Sequence, residues 1–210
     1  MASGNILYLV RHGESAGNVN LGLRRSDDPP LTERGRAQAA RAAAALSELR
    51  IEEVCSSPLR RARETAAVIA AASGLAPRVV DGFAEVDMGA LADSEAPEDR
   101  AERQAIFSAW LAGDRARAFP GGEDFSAVVS RVREGLRMLA AASPGRRIVL
   151  VTHRMPIAAA AALSEKGGAD VPAGGCPNGS ITTLESEDGE RWRLVSWGED
   201  PGQEAPGQDG

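Results

Sequence analysis

The chain has 210 residues, of which 43% are hydrophobic and 26% are charged, and this composition excludes a wholly disordered chain or a fibrous repeat. The length suits one ordinary domain, or one domain with a small insertion. The formal net charge of −6 argues against nucleic acid or an anionic membrane as a partner, because basic surfaces bind both.

Short apolar runs alternate with helical patterns along the chain. The runs that predict strands are residues 5–10, 54–56, 79–80, 148–151, 180–184 and 192–197. The predicted helices run from the N-cap Thr32 to about Leu49, from Ser57-Pro58 to Gly74, over about 98–111, from Phe125 to the Pro144-Gly145 break, and onward from about Pro156. We expect Asp188-Gly189 to lie in the turn of a hairpin formed by the last two strands.

This alternation predicts an α/β fold, a three-layer sandwich in which helices cover both faces of a mostly parallel central sheet. Residues 1–198 are predicted to form a single domain with a loop-and-helix insertion at about 86–120. Residues 199–210 are rich in Gly, Pro, Gln and acids, so we expect a disordered tail there.

Cysteine usage and apolar runs give a prediction of the compartment. Cys55 and Cys176 lie far apart with no metal-ligand spacing around them, which favours free thiols in a reducing compartment. The N-terminal apolar stretch stops at Arg11 and follows no cationic region, so no signal peptide is predicted. The longest other apolar run, Ile157 to Leu163, is far shorter than the roughly 20 residues that cross a bilayer. We therefore expect a cytoplasmic protein with no membrane partner.

Both histidines of the chain directly follow its two most apolar strands. His12 comes after a run that ends in Arg11, and His153 comes after a run that ends in Thr152. In open parallel sheets, ligands bind at the carboxyl ends of the strands. This placement predicts that the two histidines share a functional site and are not core packing.

A series of short motifs runs through the chain in a fixed order. They are Arg11-His12-Gly13-Glu14-Ser15 with Asn18, then Asp28-Pro-Pro-Leu-Thr32, Ser56-Ser-Pro-Leu-Arg-Arg61-Ala62, Pro120-Gly-Gly-Glu123, Val151-Thr-His153 and Asn178-Gly-Ser-Ile181. Together these motifs resemble the histidine phosphatase superfamily, the phosphoglycerate-mutase-like proteins, over about residues 5 to 197.

The resemblance implies a role for each of four residues. His12 would be the nucleophile that carries a transferred phosphoryl group, Arg11 and Arg61 would neutralise its oxygens, and His153 would donate a hydrogen bond to it. Arginine suits this role because its planar fork pairs with two oxygens and stays charged. The family pattern selects Arg61 and not its neighbour Arg60.

The leaving alkoxide needs a proton, so one carboxylic acid must lie beside the scissile bond. Glu85 is the candidate, because Glu85, Asp87 and Gly89 fit the family's Glu-x-x-x-Gly segment. Asp87 and Glu123 stay open as alternatives, and so does the interpretation of Glu85 as a solvated loop charge.

The first motif contains three further candidates for substrate binding. Gly13 is expected to allow close approach of the backbone to phosphate. Ser15 and Asn18 would lie in the same loop, where Ser15 either contacts substrate or caps the loop.

Three arginines depart from the family pattern. Arg24 and Arg25 stand where relatives often carry Gln-Gly, and Arg154 stands where glycine commonly follows the second histidine. As extra cations at the mouth of the pocket, they would favour a substrate with a second anionic group. The alternative is that they are exposed arginines without a role.

The sequence therefore predicts a phosphomonoesterase, independent of metal and cofactor, that hydrolyses a small soluble phosphate ester through a phosphohistidine intermediate. One alternative is a phosphoglycerate-type mutase, disfavoured by the short stretch between Glu85 and Pro120 that could form a lid. Another is a catalytically inactive, phosphate-binding regulatory module. A homodimer stays open, because dimers are frequent in the family.

Overall fold

The computed structural model describes residues 4–19, 28–164 and 175–202. Within these ranges, the strands are β1 (Asn5–Arg11), β2 (Glu53–Ser56), β3 (Arg78–Val79), β4 (Arg147–Thr152), β5 (Ile181–Ser186) and β6 (Arg193–Glu199). The α-helices of the same ranges are α1 (Ala16–Val19), α2 (Glu33–Ser47), α3 (Arg60–Ser73), α4 (Pro97–Leu111), α5 (Phe125–Ala142) and α6 (Arg154–Ala162), and a short 3-10 helix covers Gly89–Leu91.

The six strands form one sheet in the order β3-β2-β4-β1-β5-β6. Neighbours from β3 to β1 run parallel, whereas β5 is antiparallel to β1, and β6 to β5. The predicted hairpin of the last two strands is therefore present. The register pairs Arg11 with Thr152, so His12 and His153 leave the sheet side by side.

Helices cover both faces of the sheet, and alternation along β1 shows how. Leu7 and Leu9 pack in a core cluster with side chains of α5 and α6. Tyr8 and Val10, on the opposite face, pack with α2 and α3. Burial on both faces explains why β1 is apolar at nearly every position. This arrangement confirms the predicted three-layer α/β fold.

Helix boundaries agree with the sequence where the signal is local. The hydroxyl of Thr32 accepts a hydrogen bond from the Gly35 N–H at 3.0 Å, so Thr32 caps α2 as predicted. Gly74, at φ +67°, ends α3 as predicted. α6 begins at Arg154, two residues before the predicted Pro156.

The predicted start of α3 at Ser57-Pro58 is wrong. The helix begins at Arg60, and Leu59 at the N-cap has no side-chain cap. The carboxylate of Asp28 instead accepts the Arg60 N–H at 2.8 Å. A residue from a distant segment thus supplies the cap, which leaves the Ser57 hydroxyl for another contact.

The segment predicted as an insertion, about 86–120, packs onto the α5 side of the sheet. It contains the 3-10 helix and α4, and its aromatic side chains pack edge to face. The ring centroids of Trp110 and Phe119 lie 5.4 Å apart. The predicted tail of residues 199–210 begins too early, because Glu199 is the last residue of β6, and residues 203–210 lie outside the described residues. No helix in the described part of the chain is long and apolar enough to cross a membrane.

Candidate active site

His12 and His153 lie together at the carboxyl edge of the sheet. Their ring centroids are 5.0 Å apart, and the ring planes are inclined at 57°. His12 is 3% exposed and His153 is fully buried. The backbone N–H of His12 donates to the Thr152 carbonyl at 3.0 Å, which fixes the first histidine against the strand that carries the second.

The hydrogen bonds of His12 define its protonation. Its Nδ1 lies 2.7 Å from the Gly13 carbonyl oxygen, which can only accept, so Nδ1 carries the proton. Its Nε2 lies 3.2 Å from Nε of Arg61, and a guanidinium can only donate. The ring is therefore neutral, with its lone pair on Nε2. This is the form of histidine that can act as a nucleophile.

Arg61 and Arg60 point in different directions from the first turn of α3. Arg61 is 6% exposed and contacts His12. Arg60 is exposed, and its Nε donates to the Glu64 carboxylate at 2.7 Å. Adjacent helical residues diverge by about 100°, so only one of them can reach the histidine. The geometry therefore agrees with the selection of Arg61.

Arg11 is half-buried beside the histidines. Its Nη1 donates to the Cys176 carbonyl at 2.5 Å, and its buried Nε makes no hydrogen bond to any residue in the described ranges. Burial lowers the pKa of Arg11, and the charge of Arg154 adds to this effect, whereas Cys176 and Glu85 oppose it. The side chain remains a cation, because guanidinium does not lose its proton in proteins. A buried donor with unused capacity favours an anionic ligand.

The Asn178-Gly-Ser motif fastens the backbone of Arg11 and His12. The Asn178 side-chain amide donates to the His12 carbonyl at 2.9 Å, and the Gly179 N–H donates to the Arg11 carbonyl at 2.9 Å. The Arg11 N–H in turn donates to the Ser180 carbonyl at 3.0 Å. Asn178 is thus a positioning residue of the site. These hydrogen bonds explain what the Asn178-Gly-Ser motif does, because they hold the backbone that carries Arg11 and His12.

Ser57 is a contact of the site that sequence reasoning missed. Its Oγ lies 2.6 Å from Nε2 of His153, and both residues are fully buried. The proline that follows Ser57 favoured its interpretation as a helix cap. Ser57 follows β2 and His153 follows β4, and no local signal in the sequence links the two residues.

The Glu85 side chain reaches the first turn of α6, the helix that follows His153. Its Oε1 accepts the Met155 N–H at 3.3 Å and the Val86 N–H at 2.9 Å. The carboxylate is half-buried, and its charge acts on Arg11. Thr152 helps to place this segment, because its hydroxyl donates to the Phe83 carbonyl at 2.6 Å.

The two alternative acids are engaged elsewhere. Asp87 is exposed, and its carboxylate accepts the Gly89 N–H at 2.9 Å. Glu123 forms a bidentate ion pair with Arg131, in which Nε of Arg131 lies 2.7 Å from Oε1 of Glu123. Burial raises the pKa of Glu123, but the hydrogen bonds from Arg131 and the Asp87 N–H outweigh it and leave the pKa below its ordinary value. Of the three carboxylates, Glu85 is the one that accepts a hydrogen bond from the helix following His153 and whose charge raises the pKa of Arg11.

Gly13 is required by a neighbouring helix. A Cβ on Gly13 would lie 2.3 Å from the Gly35 carbonyl oxygen, a backbone atom that cannot swing aside. The Gly13 N–H donates to the Thr65 hydroxyl at 3.1 Å. The close contact with α2 alone explains the glycine, and the close approach of this backbone to phosphate stays a prediction.

Ser15 and Asn18 contact each other. The Ser15 N–H and hydroxyl both lie within hydrogen-bond distance of the Asn18 side-chain oxygen, at 2.9 and 3.1 Å. Ser15 is 1% exposed, whereas Asn18 is exposed. Ser15 thus orders the loop, and Asn18 is the member of the pair that faces outward.

The remaining predicted substrate-binding residues are the three arginines that depart from the family pattern. Arg154 is exposed at the first position of α6, close enough for its charge to act on Arg11. Arg24 and Arg25 lie outside the described residues.

No group of three His, Cys, Asp or Glu side chains is arranged to hold a metal ion in the described ranges. Cys55 and Cys176 are buried free thiols.

Known proteins resemble this chain in sequence. The sequence model of the family described as "Histidine phosphatase superfamily (branch 1)" matches residues 7–200. A protein of Erwinia tasmaniensis named "Probable phosphoglycerate mutase GpmB" is 31% identical over 151 residues, which are 72% of this chain and 70% of that protein.

Solved structures resemble the chain as well. "Mycobacterial hydrolase 1" is 34% identical with a TM-score of 0.81, over 94% of this chain and 99% of that one. A mycobacterial glucosyl-3-phosphoglycerate phosphatase in complex with VO3 is 33% identical with a TM-score of 0.77, over 91% and 98% of the two chains. Because the family match extends from the first strand of the sheet to the last, the chain belongs to the histidine phosphatase superfamily.

Proposed function

We propose that the protein is a phosphomonoesterase that moves the phosphoryl group of a small phosphate ester first to Nε2 of His12 and then to water. One observation carries this proposal. The Gly13 carbonyl holds the proton of His12 on Nδ1, and the lone pair on Nε2 faces the buried cation Arg61. A nucleophile is thus held next to a group that binds phosphoryl oxygens.

Charge neutralisation precedes chemistry, because a phosphate dianion repels an attacking lone pair. Arg11 has a buried donor that no described residue uses, and Arg61 contacts the attacking nitrogen itself. When substrate binds, Arg61 would move its donor from Nε2 to a phosphoryl oxygen, which exposes the lone pair.

In the first half-reaction, Nε2 of His12 bonds to phosphorus as the ester P–O bond breaks. Glu85 takes up a proton when the phosphate dianion binds beside it, because two neighbouring anions repel each other, and it gives this proton to the departing alkoxide, which leaves as an alcohol. The Gly13 carbonyl stabilises the positive charge that develops on the ring through Nδ1–H. In the second half-reaction, water bonds to phosphorus, the P–N bond breaks, and Glu85 takes the proton of the water.

The relatives support both hydrolysis and transfer within this class. The solved glucosyl-3-phosphoglycerate phosphatase is matched over 98% of its length. The curated relative, which carries a mutase name, is matched over 70% of its length. Hydrolysis is the proposal, because the wider match is to the phosphatase. A mutase remains the second candidate because of the name of the curated relative. An inactive phosphate-binding module is disfavoured, since His12 has its lone pair in place.

Hydrolysis of an aryl phosphate with EDTA present tests the proposal. The wild type should release phosphate, and His12→Ala should lose activity by about 10³-fold or more. Activity abolished by the chelator, or unchanged in His12→Ala, would contradict the mechanism. An Arg60→Ala variant is the matched control, since Arg60 faces away from the histidines.

A second measurement separates hydrolysis from transfer. With 3-phosphoglycerate as substrate, a phosphatase releases inorganic phosphate, whereas a mutase releases the 2-phosphate isomer. Rapid quenching during turnover should trap an acid-labile, base-stable phosphoryl group on the wild type and none on His12→Ala. Binding of phosphate without turnover of any ester would favour the regulatory module.

A further inference from the structure

The contact between Ser57 and His153 is the most buried polar pair at the site. The two atoms, Oγ and Nε2, lie 2.6 Å apart, and neither residue is exposed. The sheet fixes Ser57, because its N–H donates to the Val151 carbonyl at 2.9 Å. Since α3 begins only at Arg60, the Ser57 hydroxyl caps no helix.

The surroundings of His153 disfavour a positive charge on its ring. The His12 ring beside His153 contacts the buried cation Arg61, and Arg11 precedes His12 in the chain. The Glu85 carboxylate at the first turn of α6 is one anion near two arginines, so a further cation on His153 would lack an anion of its own. A neutral imidazole carries its proton on one nitrogen only, so its partner decides which one.

A serine hydroxyl can donate as well as accept, and this freedom allows it to set the tautomer of a histidine. We propose that Ser57 is a positioning residue that donates to Nε2 of His153 and so holds the proton of that ring on Nδ1. The inference rests on the proposed function, in which His153 donates to the phosphoryl group. Nδ1–H is then the donor, and no extra positive charge is needed to form it.

Free neutral histidine carries its proton on either nitrogen, so an unassisted ring would supply the correct donor only part of the time. Ser57 would remove this loss before the substrate arrives, which is preorganisation of a transition-state donor. The same logic operates in His12, where the Gly13 carbonyl sets the proton on Nδ1 from the other side. Two neighbouring rings would thus share one tautomer, one with its lone pair and the other with its N–H toward the phosphoryl group.

Nitrogen-15 NMR of protein labelled at histidine tests the tautomer without reference to activity. The chain has two histidines, so the spectrum of His12→Ala assigns the ring of His153 by elimination. In the wild type, His153 should show a protonated Nδ1 and a bare Nε2. In Ser57→Ala, its protonation should shift toward Nε2 or become mixed, while His12 stays unchanged. A protonated Nε2 in the wild type, or an unchanged His153 in Ser57→Ala, would overturn the inference.

The controls use the neighbouring hydroxyl and a conservative change. Ser56 precedes Ser57 at the end of β2 and is 1% exposed, and neighbouring residues of an extended segment point to opposite sides, so Ser56→Ala should leave the tautomer as it is. Ser57→Thr keeps the hydroxyl and should restore the wild-type spectrum. If Thr does not fit the buried position, the comparison of Ser57→Ala with Ser56→Ala still decides the question.

Kinetics gives the second readout. Ser57→Ala should lower kcat about three- to tenfold, the equivalent of one hydrogen bond, with little change in KM. In a His153→Ala background, Ser57→Ala should cause no further loss, because its effect passes through that ring. An equal loss in both backgrounds would show a structural role only. If the protein turns over no phosphate ester, the proposed function fails, but the NMR result still decides the tautomer.

Discussion

Nε of Arg61 lies 3.2 Å from Nε2 of His12, so one cation occupies the lone pair that the mechanism needs. The contact holds the ring in one orientation and places a phosphate-binding group at the point of attack. In the proposed mechanism, the substrate would draw the guanidinium onto its own oxygens before the nitrogen attacks. Binding of the anion would thus expose the nucleophile.

Removal of this cation should affect chemistry far more than folding. We expect Arg61→Ala to lower kcat/KM by about 10²- to 10³-fold, the usual effect of losing one preorganised donor to a phosphoryl group. Steady-state hydrolysis of an aryl phosphate measures it, with Arg60→Ala as the neighbouring control. Similar losses in both variants would mean that bulk charge, and not the contact with His12, matters.

The proton donor can be identified through the leaving group. Glu85→Gln should slow hydrolysis of an alkyl phosphate by about 10²- to 10⁴-fold, because an alkoxide leaves poorly without a proton. An aryl phosphate with a good leaving group should lose much less. Asp87→Asn is the control, since its carboxylate is exposed and turned toward Gly89. A uniform loss on both esters in Glu85→Gln would assign Glu85 to binding and not to proton transfer.

The site was predictable where the signal was local in the sequence. Two apolar strands followed by His12 and His153 predicted their meeting, because parallel strands end at one edge. Ser57 was misassigned because a serine before a proline is typical of a helix start. The actual cap, Asp28, comes from another segment and has no local signature. Likewise, the reason for Gly13 is a contact with Gly35 that only the folded chain creates.

Steric contact and backbone conformation can be compared at two glycines. Gly13→Ala should destabilise the fold by about 1–3 kcal/mol, since its Cβ would lie 2.3 Å from the Gly35 carbonyl oxygen and the backbone must move. Gly74→Ala has no atom within 4 Å of its Cβ, so its cost should be about 1 kcal/mol, from the left-handed φ of +67° alone. Urea unfolding measures both values. A smaller loss for Gly13→Ala than for Gly74→Ala would contradict the packing of the first motif against α2.

The ion pair of Glu123 and Arg131 should contribute stability that depends on pH. Although burial raises it, the pKa of Glu123 lies below its ordinary value in the folded protein, mainly because Arg131 donates to the carboxylate. The contribution is therefore fully present above the unfolded-state pKa of about 4.3 and is lost as pH falls through the lower folded-state pKa.

Glu123→Gln isolates this contribution. At pH 7 the variant should be less stable than the wild type by about 1 kcal/mol, the usual scale for a partly exposed pair. The difference should shrink as pH falls below 4. Unfolding free energies at pH 7 and in a series down to pH 3 provide the test, and a difference that grows in acid would have the wrong sign.

The charge of Arg154 is placed unfavourably in the fold. A cation at the first position of α6 opposes the helix dipole, and its charge also acts unfavourably on Arg11. No described carboxylate forms an ion pair with it, although nine ion pairs occupy other basic side chains. In the proposed function the phosphoryl group lies beside the buried histidines, and Arg154 is an exposed cation next to His153 in the chain, so it is a candidate contact for the rest of the substrate.

A second anion on the substrate would compensate both costs of Arg154. We expect Arg154→Gln to raise KM for 3-phosphoglycerate about tenfold, the loss of one charge-assisted hydrogen bond, and to leave KM for glycerol 3-phosphate nearly unchanged. These esters differ in a carboxylate against a hydroxymethyl group. Arg146→Gln is the matched control, since Arg146 is exposed before β4, at the end of the sheet opposite the site. Equal changes for both esters would leave Arg154 as surface charge, because only a cation that reads the second anion can separate them.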